Sequence, residues 1–145
     1  MLGLGAPAAQ LSARPPGEPA HGTRVEIEIL NMRNHDGVVR ACMTSDAERF
    51  PRCQNARGGH RAVVPAGEAR LVRFDNVAPG TYAIALLHDE NDNGRPDRVL
   101  GMMPREGFGF SNDAPVNMGP PAFEEAAVRV GRAPLRQTIR MRYML

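Results

Sequence analysis

Apolar and polar residues alternate in several short runs along the chain, which is the pattern of β-strands that bury one face. Val25, Ile27 and Ile29 alternate with glutamates, and the run from Leu135 to Tyr143 alternates over its whole length. In this last run the apolar side chains point one way and the arginines between them point the other way. The pattern predicts a first and a last strand that each turn one face to a core.

Further runs between these two also have strand character, and turn residues separate them. One run, Ala122 to Val130, is ambiguous, because its first half permits a turn of helix and its second half favours a strand. The segment from Thr44 to Gly59 is polar and irregular and predicts a loop. The other predicted strands are Val38 to Met43, Arg61 to Val64, Ala69 to Phe74, Tyr82 to Leu87 and Val99 to Met103.

The number and spacing of these strands predict the fold class. About seven short strands joined by hairpin turns are typical of an all-β protein, so we expect an antiparallel Greek-key β-sandwich, immunoglobulin-like in its strand number. If the first and last strands are neighbours, Glu26 and Glu28 would face Arg140 and Arg142 across the sheet. Such exposed pairs contribute only tenths of a kcal/mol.

Composition agrees with this fold and narrows the possible partners. The 145 residues suit one domain, and 15 glycines, 13 prolines and an aromatic share of 5% favour short elements and turns over long helices. The net charge is +2, and the basic residues are scattered among acids, so nucleic-acid binding is not supported. All the basic residues are arginines, which we attribute to coding bias more than to carboxylate or phosphate recognition.

The first residues of the chain differ from the remainder. Met1 to Ala13 is rich in leucine and alanine and ends in Leu-Ser-Ala, like the apolar core and cleavage end of a secretion signal without its positive start. A plain tail is the alternative. Proline-rich Arg14 to Gly22 predicts an extended linker. We therefore expect a disordered signal remnant and linker over 1–22 and a single domain over 23–145, periplasmic or secreted, with no transmembrane segment.

Two cysteines, Cys42 and Cys53, are eleven positions apart. In an exported protein they would form a disulfide worth about 2 to 3 kcal/mol, and in the cytosol they would be free thiols. No histidine lies near them at a ligand spacing, which argues against zinc. Given the leader-like start, we expect the disulfide.

In the segment from His88 to Asp97, Asp89, Asn91 and Asn93 carry oxygen side chains at every second position, and Gly94 follows them. This spacing is typical of a calcium loop. Leu100 stands where an EF-hand needs a bidentate glutamate, and the flanks are strands, so we expect a shorter loop. A later residue, Glu106, would supply a sixth ligand. The predicted ligands are Asp89, Asn91, Asn93, the carbonyl of Arg95, Asp97 and Glu106.

Two asparagines in place of acids predict weak calcium affinity, about 0.1 to 1 mM, which is the extracellular range. The alternative is a metal-free turn in which Asp and Asn cap their own backbone. We expect His88 to pack at the strand end, and Glu90 and Asp92 to point to solvent. Gly107 and Gly109 would let the chain fold closely over the loop.

Three segments together resemble a known family. They are Arg73 to Ile84, which contains Pro79-Gly80-Thr81-Tyr82, then His88 to Asp97, then Glu106 to Asn112. In this order they resemble the small exported bacterial proteins catalogued as domain of unknown function twenty-one forty-one, over Val25 to Tyr143. The resemblance implies a secreted or periplasmic β-sandwich of the transthyretin-like or carboxypeptidase-regulatory-like kind. It implies no activity.

The candidate catalytic residues lack the partners that catalysis needs. Ser111 is not in a nucleophile elbow, and no histidine is recognisably paired with it. Gly107 and Gly109 do not follow a strand and open a helix, so a dinucleotide-binding loop is not supported. We expect a non-catalytic, monomeric binding or structural module with a protein or glycan partner in the cell envelope. The alternatives are an envelope hydrolase that uses Glu106 on sugars or peptides, and a carrier of a ligand or metal that uses His88.

Overall fold

The computed structural model describes residues 22–53, 59–93, 98–99, 103–104, 106–117 and 119–143. Residues 1–21 of the expected leader lie outside these ranges, and the first strand begins at Thr23. The strands are β1 Thr23–Leu30, β2 Val38–Thr44, β3 His60–Pro65, β4 Leu71–Val77, β5 Gly80–Asp89, β6 Arg98–Val99, β7 Met103–Pro104, β8 Gly107–Phe110, β9 Ala127–Val130 and β10 Leu135–Arg140.

The strands form two main sheets, which confirms the predicted all-β sandwich. The smaller sheet has the order β10-β1-β4, and the larger has the order β3-β2-β5-β8, with β9 also paired to β5. The short strands β6 and β7 pair with each other. The ambiguous segment contains both of its alternatives, since a four-residue helix α1, Phe123–Ala126, leads directly into β9. In the described part of the chain no helix is long and apolar enough to cross a membrane.

The first and last strands are neighbours, as expected, but they run parallel. The register places Arg136 opposite Glu26 and Thr138 opposite Glu28, so the expected pairing with Arg140 and Arg142 is wrong. Arg136 lies 3.8 Å from Glu26, and Thr138 donates a hydrogen bond to Glu28. Alternation predicts which face of a strand is buried, but not the direction of its partner.

The main core lies between the two sheets and is built from the inward side chains of every long strand. Removal of these apolar side chains from water is the dominant favourable term in folding. The largest fully buried apolar members are Ile27, Met43, Ile84, Leu86, Ile139, Met141, Val25, Val39, Val77 and Val130.

A second, smaller core lies on the outer face of the larger sheet. Phe110 and two alanines of β5 are covered there by Phe50 and Phe123. The loop that carries Phe50 is held by the predicted disulfide, which joins Cys42 on β2 to Cys53 with 5.7 Å between the Cα atoms. The disulfide thus fastens a loop over one part of this outer face.

Ser111 has a structural position in the fold. Strand β5 pairs with β9 up to Ala83 and with β8 from Ala85 onward, so Ile84 falls between the two partners. The buried Ser111 hydroxyl accepts the N–H of Ile84 at 2.9 Å and donates to the carbonyl of Ala126. It therefore replaces the strand hydrogen bonds that are missing at the gap.

The glycines of β8 make room for the opposite sheet. A Cβ at Gly109 would lie 2.7 Å from Ile139 Cγ2, and one at Gly107 would collide with the ring of Tyr143. The expectation that these glycines let the chain fold over the loop remains a prediction, because much of the loop lies outside the described residues. The glycines allow β8 to lie against the end of β10, where Phe108 and Arg142 exchange two backbone hydrogen bonds.

Candidate metal centre at the end of strand β5

The loop with the oxygen side chains begins directly at the end of β5. Asp89 still pairs with Val38 of β2, and its side chain is fully buried. The chain then turns, with the N–H of Asp92 donating to the Asp89 carbonyl at 3.2 Å. Asn91, Asp92 and Asn93 are exposed. The rigid strand thus fixes the first predicted ligand, and the turn carries the next two.

The Asp89 carboxylate has two identified hydrogen-bond donors. Its Oδ2 accepts from Arg40 Nε at 2.8 Å, and its Oδ1 accepts from the backbone N–H of Asn93 at 3.2 Å. The second bond is the capping contact that the metal-free alternative predicts. Arg40 also donates to Asp92 Oδ1 at 2.7 Å. A guanidinium therefore lies beside Asp89, the first of the predicted calcium ligands.

Arg40 remains charged in this position. Its hydrogen bond to Asp89 is the main cause that raises the pKa of the guanidinium, while burial acts in the opposite direction. Calcium would therefore compete with a permanent positive charge for Asp89, because the two cations repel each other at short range.

Glu106 lies against the loop, as predicted. Its side chain is 2% exposed, and its Oε2 accepts the backbone N–H of Glu90 at 2.8 Å. His88 pairs with Gly107 in the β5 and β8 register, so one further residue brings Glu106 level with Asp89. The structure therefore brings two carboxylates that are 17 positions apart in the sequence to the same end of neighbouring strands.

The predicted ligand set is only partly described. Asp89 and Glu106 are buried and Asn91 and Asn93 are exposed, whereas Arg95 and Asp97 lie outside the described residues. The described ranges hold no group of three or more histidine, cysteine, aspartate or glutamate side chains suited to a metal. In addition to Asp89 and Glu106, a calcium ion would therefore need asparagine and carbonyl oxygens and the carboxylate of Asp97. All of these ligands are hard oxygen donors, which is the type of ligand that calcium prefers.

Glu90 does not point to solvent, and that expectation is wrong. Its carboxylate binds Arg33 through two hydrogen bonds, at 2.9 and 2.7 Å, and accepts a third from Asn34 at 2.6 Å. The hydrogen bond from Arg33 is the main cause that lowers the pKa of Glu90. The connection between β1 and β2 is therefore fastened to the loop by a charged pair.

His88 packs at the end of β5, as expected. It is fully buried, and its ring nitrogens lie 2.8 Å from the Tyr143 hydroxyl and 2.8 Å from the Asp36 carbonyl. The guanidinium of Arg33 lies 4.5 Å from the centre of the Tyr143 ring. Both nitrogens already have protein partners, so this geometry does not favour His88 as a metal carrier.

The sequence interpretation did not identify Arg33 and Arg40 as part of this region. Each contacts the loop from a distant part of the chain, across 57 and 49 positions respectively. Arg40 offered one local signal, because it is a charged residue in the middle of an otherwise apolar strand. Arg33 lies in a connection, where arginine is ordinary and indicates nothing.

Comparison with known proteins gives a family and nothing more specific. A family model described as an uncharacterized protein conserved in bacteria, DUF2141, matches residues 27–138. No curated protein matches the chain, and no solved structure matches it. The transthyretin-like and Greek-key details of the fold remain predictions.

Proposed function

The chain belongs to the bacterial family DUF2141, and from the geometry at the end of β5 we propose that it is a calcium-stabilised, non-catalytic binding module of the cell envelope. The observation that carries the metal part is the position of Glu106. The sequence suggests this residue as a sixth calcium ligand from the following glycine-rich segment, and its carboxylate accepts a hydrogen bond from the loop backbone at Glu90. A calcium ion bound there would join the loop to the start of β8.

The residues that would hold calcium have distinct roles. Asp89 and Glu106 would supply charge from fixed positions, and Asn91 and Asn93 would supply neutral oxygens from the turn. Arg40 would have to share or release Asp89. The resulting affinity is expected to be weak, about 0.1 to 1 mM, which suits an exported protein because cytosolic calcium is far lower.

The burial of Glu106 supports a structural role over a catalytic one. A general acid or base must come within hydrogen-bond reach of its substrate. Glu106 is 2% exposed and already bonds to the loop backbone. Ser111, the other side chain considered for chemistry, is fully buried and bonds to two backbone groups. Export is supported by the disulfide, since disulfides persist in oxidising compartments.

Thermal melting with calcium and with chelator tests the metal proposal. At about 10 mM calcium and the affinity above, binding would stabilise the fold by about 1.4 to 2.7 kcal/mol, which raises the melting temperature by several degrees. The combined change Asn91→Ala and Asn93→Ala should remove this rise, which is measured between calcium and chelator for the same variant. Asn117→Ala, at another exposed loop position, is the matched control. Identical curves for the wild-type protein in calcium and in chelator would refute the metal proposal.

A further inference from the structure

A groove crosses the outer face of the larger sheet next to the disulfide, and Arg40, which hydrogen-bonds to Asp89, borders it on the side of the loop. Its floor includes Leu87 and Phe108, its rim includes Val63, and the loop that carries Arg52 borders one end. Val63 is 54% exposed, so the described chain leaves this apolar side chain largely uncovered. The groove encloses about 260 Å³.

The strand register fixes the order of side chains across this face. Val63, Arg40, Leu87 and Phe108 form one row over four adjacent strands. The next row on the same face begins with Arg61, opposite Cys42. Side chains in one row are about 5 Å apart, and diagonal neighbours such as Arg40 and Arg61 are about 7 to 8 Å apart. Arg40 thus lies between Val63 and the apolar pair Leu87 and Phe108, and Arg61 lies diagonally from it on β3.

The unpaired charge of the groove is positive, although Arg40 is itself paired with Asp89 and Asp92. Three arginines, Arg40, Arg52 and Arg61, are among the described residues that line it, and none of those residues is acidic. Neither Arg52 nor Arg61 forms an ion pair with any described residue. The sequence around Arg52 and Arg61 is also basic, because the chain carries four arginines and no acidic residue between Glu48 and Glu68.

We propose that this groove binds an extended acidic peptide segment of a partner protein, with carboxylates on Arg52 and Arg61 and an apolar side chain on the floor formed by Leu87 and Phe108. Guanidinium groups pair with carboxylates through two parallel hydrogen bonds, which matches a ligand with several separated carboxylates. The groove is smaller than the roughly 300 to 1,000 Å³ of sites that enclose small molecules, so it suits the side chains of a longer ligand. A lipid surface would need apolar side chains that project, whereas Leu87 and Phe108 are half-buried.

This proposal rests on the proposed function only in taking the domain to be a binding module, and it does not require calcium. The test uses the full chain with its disulfide intact and a dye-labelled peptide of about eight residues in which glutamates alternate with leucines. A twin peptide carries glutamine in place of glutamate. Binding of the acidic peptide is expected, and the twin should bind about tenfold more weakly or worse.

Variants locate the binding on the groove. Arg52→Gln with Arg61→Gln should weaken binding about tenfold or more, and Val63→Ser should weaken it severalfold. Arg70→Gln with Arg132→Gln removes the same charge from exposed positions outside the groove and should leave the affinity unchanged. All these positions are exposed, and equal melting temperatures would show that the variants fold.

The outcomes separate this proposal from its alternatives. Absent binding of the acidic peptide at about 1 mM, equal loss in the control variant, or arginine-dependent binding to anionic phospholipid vesicles without peptide binding would each overturn it. Repeating the measurement in calcium and in chelator separates the two proposals. If calcium fails to stabilise the fold while the peptide still binds through Arg52 and Arg61, only the metal proposal fails.

Discussion

At the residue scale, Arg40 decides how the loop can bind a cation. Its guanidinium hydrogen-bonds to Asp89 and Asp92 and therefore stabilises the loop in the same way that a metal would. An arginine and a calcium ion that compete for one carboxylate weaken each other's binding. The affinity of the proposed calcium site would consequently be set by Arg40 as well as by the ligands.

Changing Arg40 should separate these two effects. We expect Arg40→Gln to tighten calcium binding severalfold, because the competing charge is removed, and to lower the melting temperature in chelator, because Asp89 loses its partner. Calorimetric titration with calcium and melting in chelator measure the two quantities. Arg73→Gln, on the exposed face of β4, is the control. Unchanged or weaker calcium affinity in Arg40→Gln would contradict the competition.

Glu90 gives the loop a dependence on pH. Its pKa in the folded protein is lowered from the ordinary 4.5, chiefly by the hydrogen bond from Arg33. A lowered pKa means that the stabilisation is present above pH 4.5 and is lost as the pH falls through the folded value. The pair is partly exposed, so we expect Glu90→Gln to cost up to about 1 kcal/mol at pH 7.

Urea unfolding at a series of pH values measures this contribution. The difference in free energy of unfolding between wild type and Glu90→Gln should be largest near neutral pH, should begin to shrink below pH 4.5, and should vanish once the pH is below the lowered pKa of Glu90 in the folded protein. Glu124→Gln is a suitable control, because Glu124 is exposed and lies outside this ion pair. A difference that is constant from pH 7 to pH 3 would show that the ion pair is not its source.

At the scale of elements, the close approach of β8 to β10 depends on its glycines. We expect Gly109→Ala to destabilise the fold by about 1 to 3 kcal/mol, because the new Cβ would lie 2.7 Å from Ile139 Cγ2 and 3.1 Å from Met141 Sδ. Chemical denaturation measures the change. The matched control is Gly131→Ala, where a Cβ would meet nothing within 4 Å. Equal effects of the two substitutions would rule out crowding as the cause.

The strands themselves could be predicted from sequence because burial leaves a local record. The alternation in β1 and β10 gave their buried faces correctly, and β5 was recognised by its apolar residues. What could not be predicted were partners distant in the sequence. Nothing local to Glu90 indicates that Arg33 binds it, and nothing in β10 indicates that it runs parallel to β1. Glu106 could be placed near the loop because it belongs to a recognisable motif. Arg40 belongs to no motif, so its contact with Asp89 could not be predicted.

At the scale of the whole molecule, the disulfide is the covalent constraint on the outer face. It closes a loop of 11 positions, so its reduction should lower the free energy of unfolding by about 2 to 3 kcal/mol through greater freedom of the unfolded chain. Denaturation with and without a reductant measures this effect. The combined change Cys42→Ala and Cys53→Ala should be destabilised similarly and should no longer respond to the reductant. A wild-type protein that is indifferent to reductant would contradict the prediction.

The two sheets meet along one side of the molecule, where Phe108 of β8 and Arg142 exchange backbone hydrogen bonds. These hydrogen bonds close the sandwich on the side of β8. At the other side of the larger sheet, β3 is an open edge in the described part of the chain. An open edge invites backbone pairing with other molecules and is a common start of aggregation. Strand β3 carries Arg61 in its interior and ends in Pro65, a residue without an N–H to donate. The charge and the proline therefore protect the protein from pairing with copies of itself.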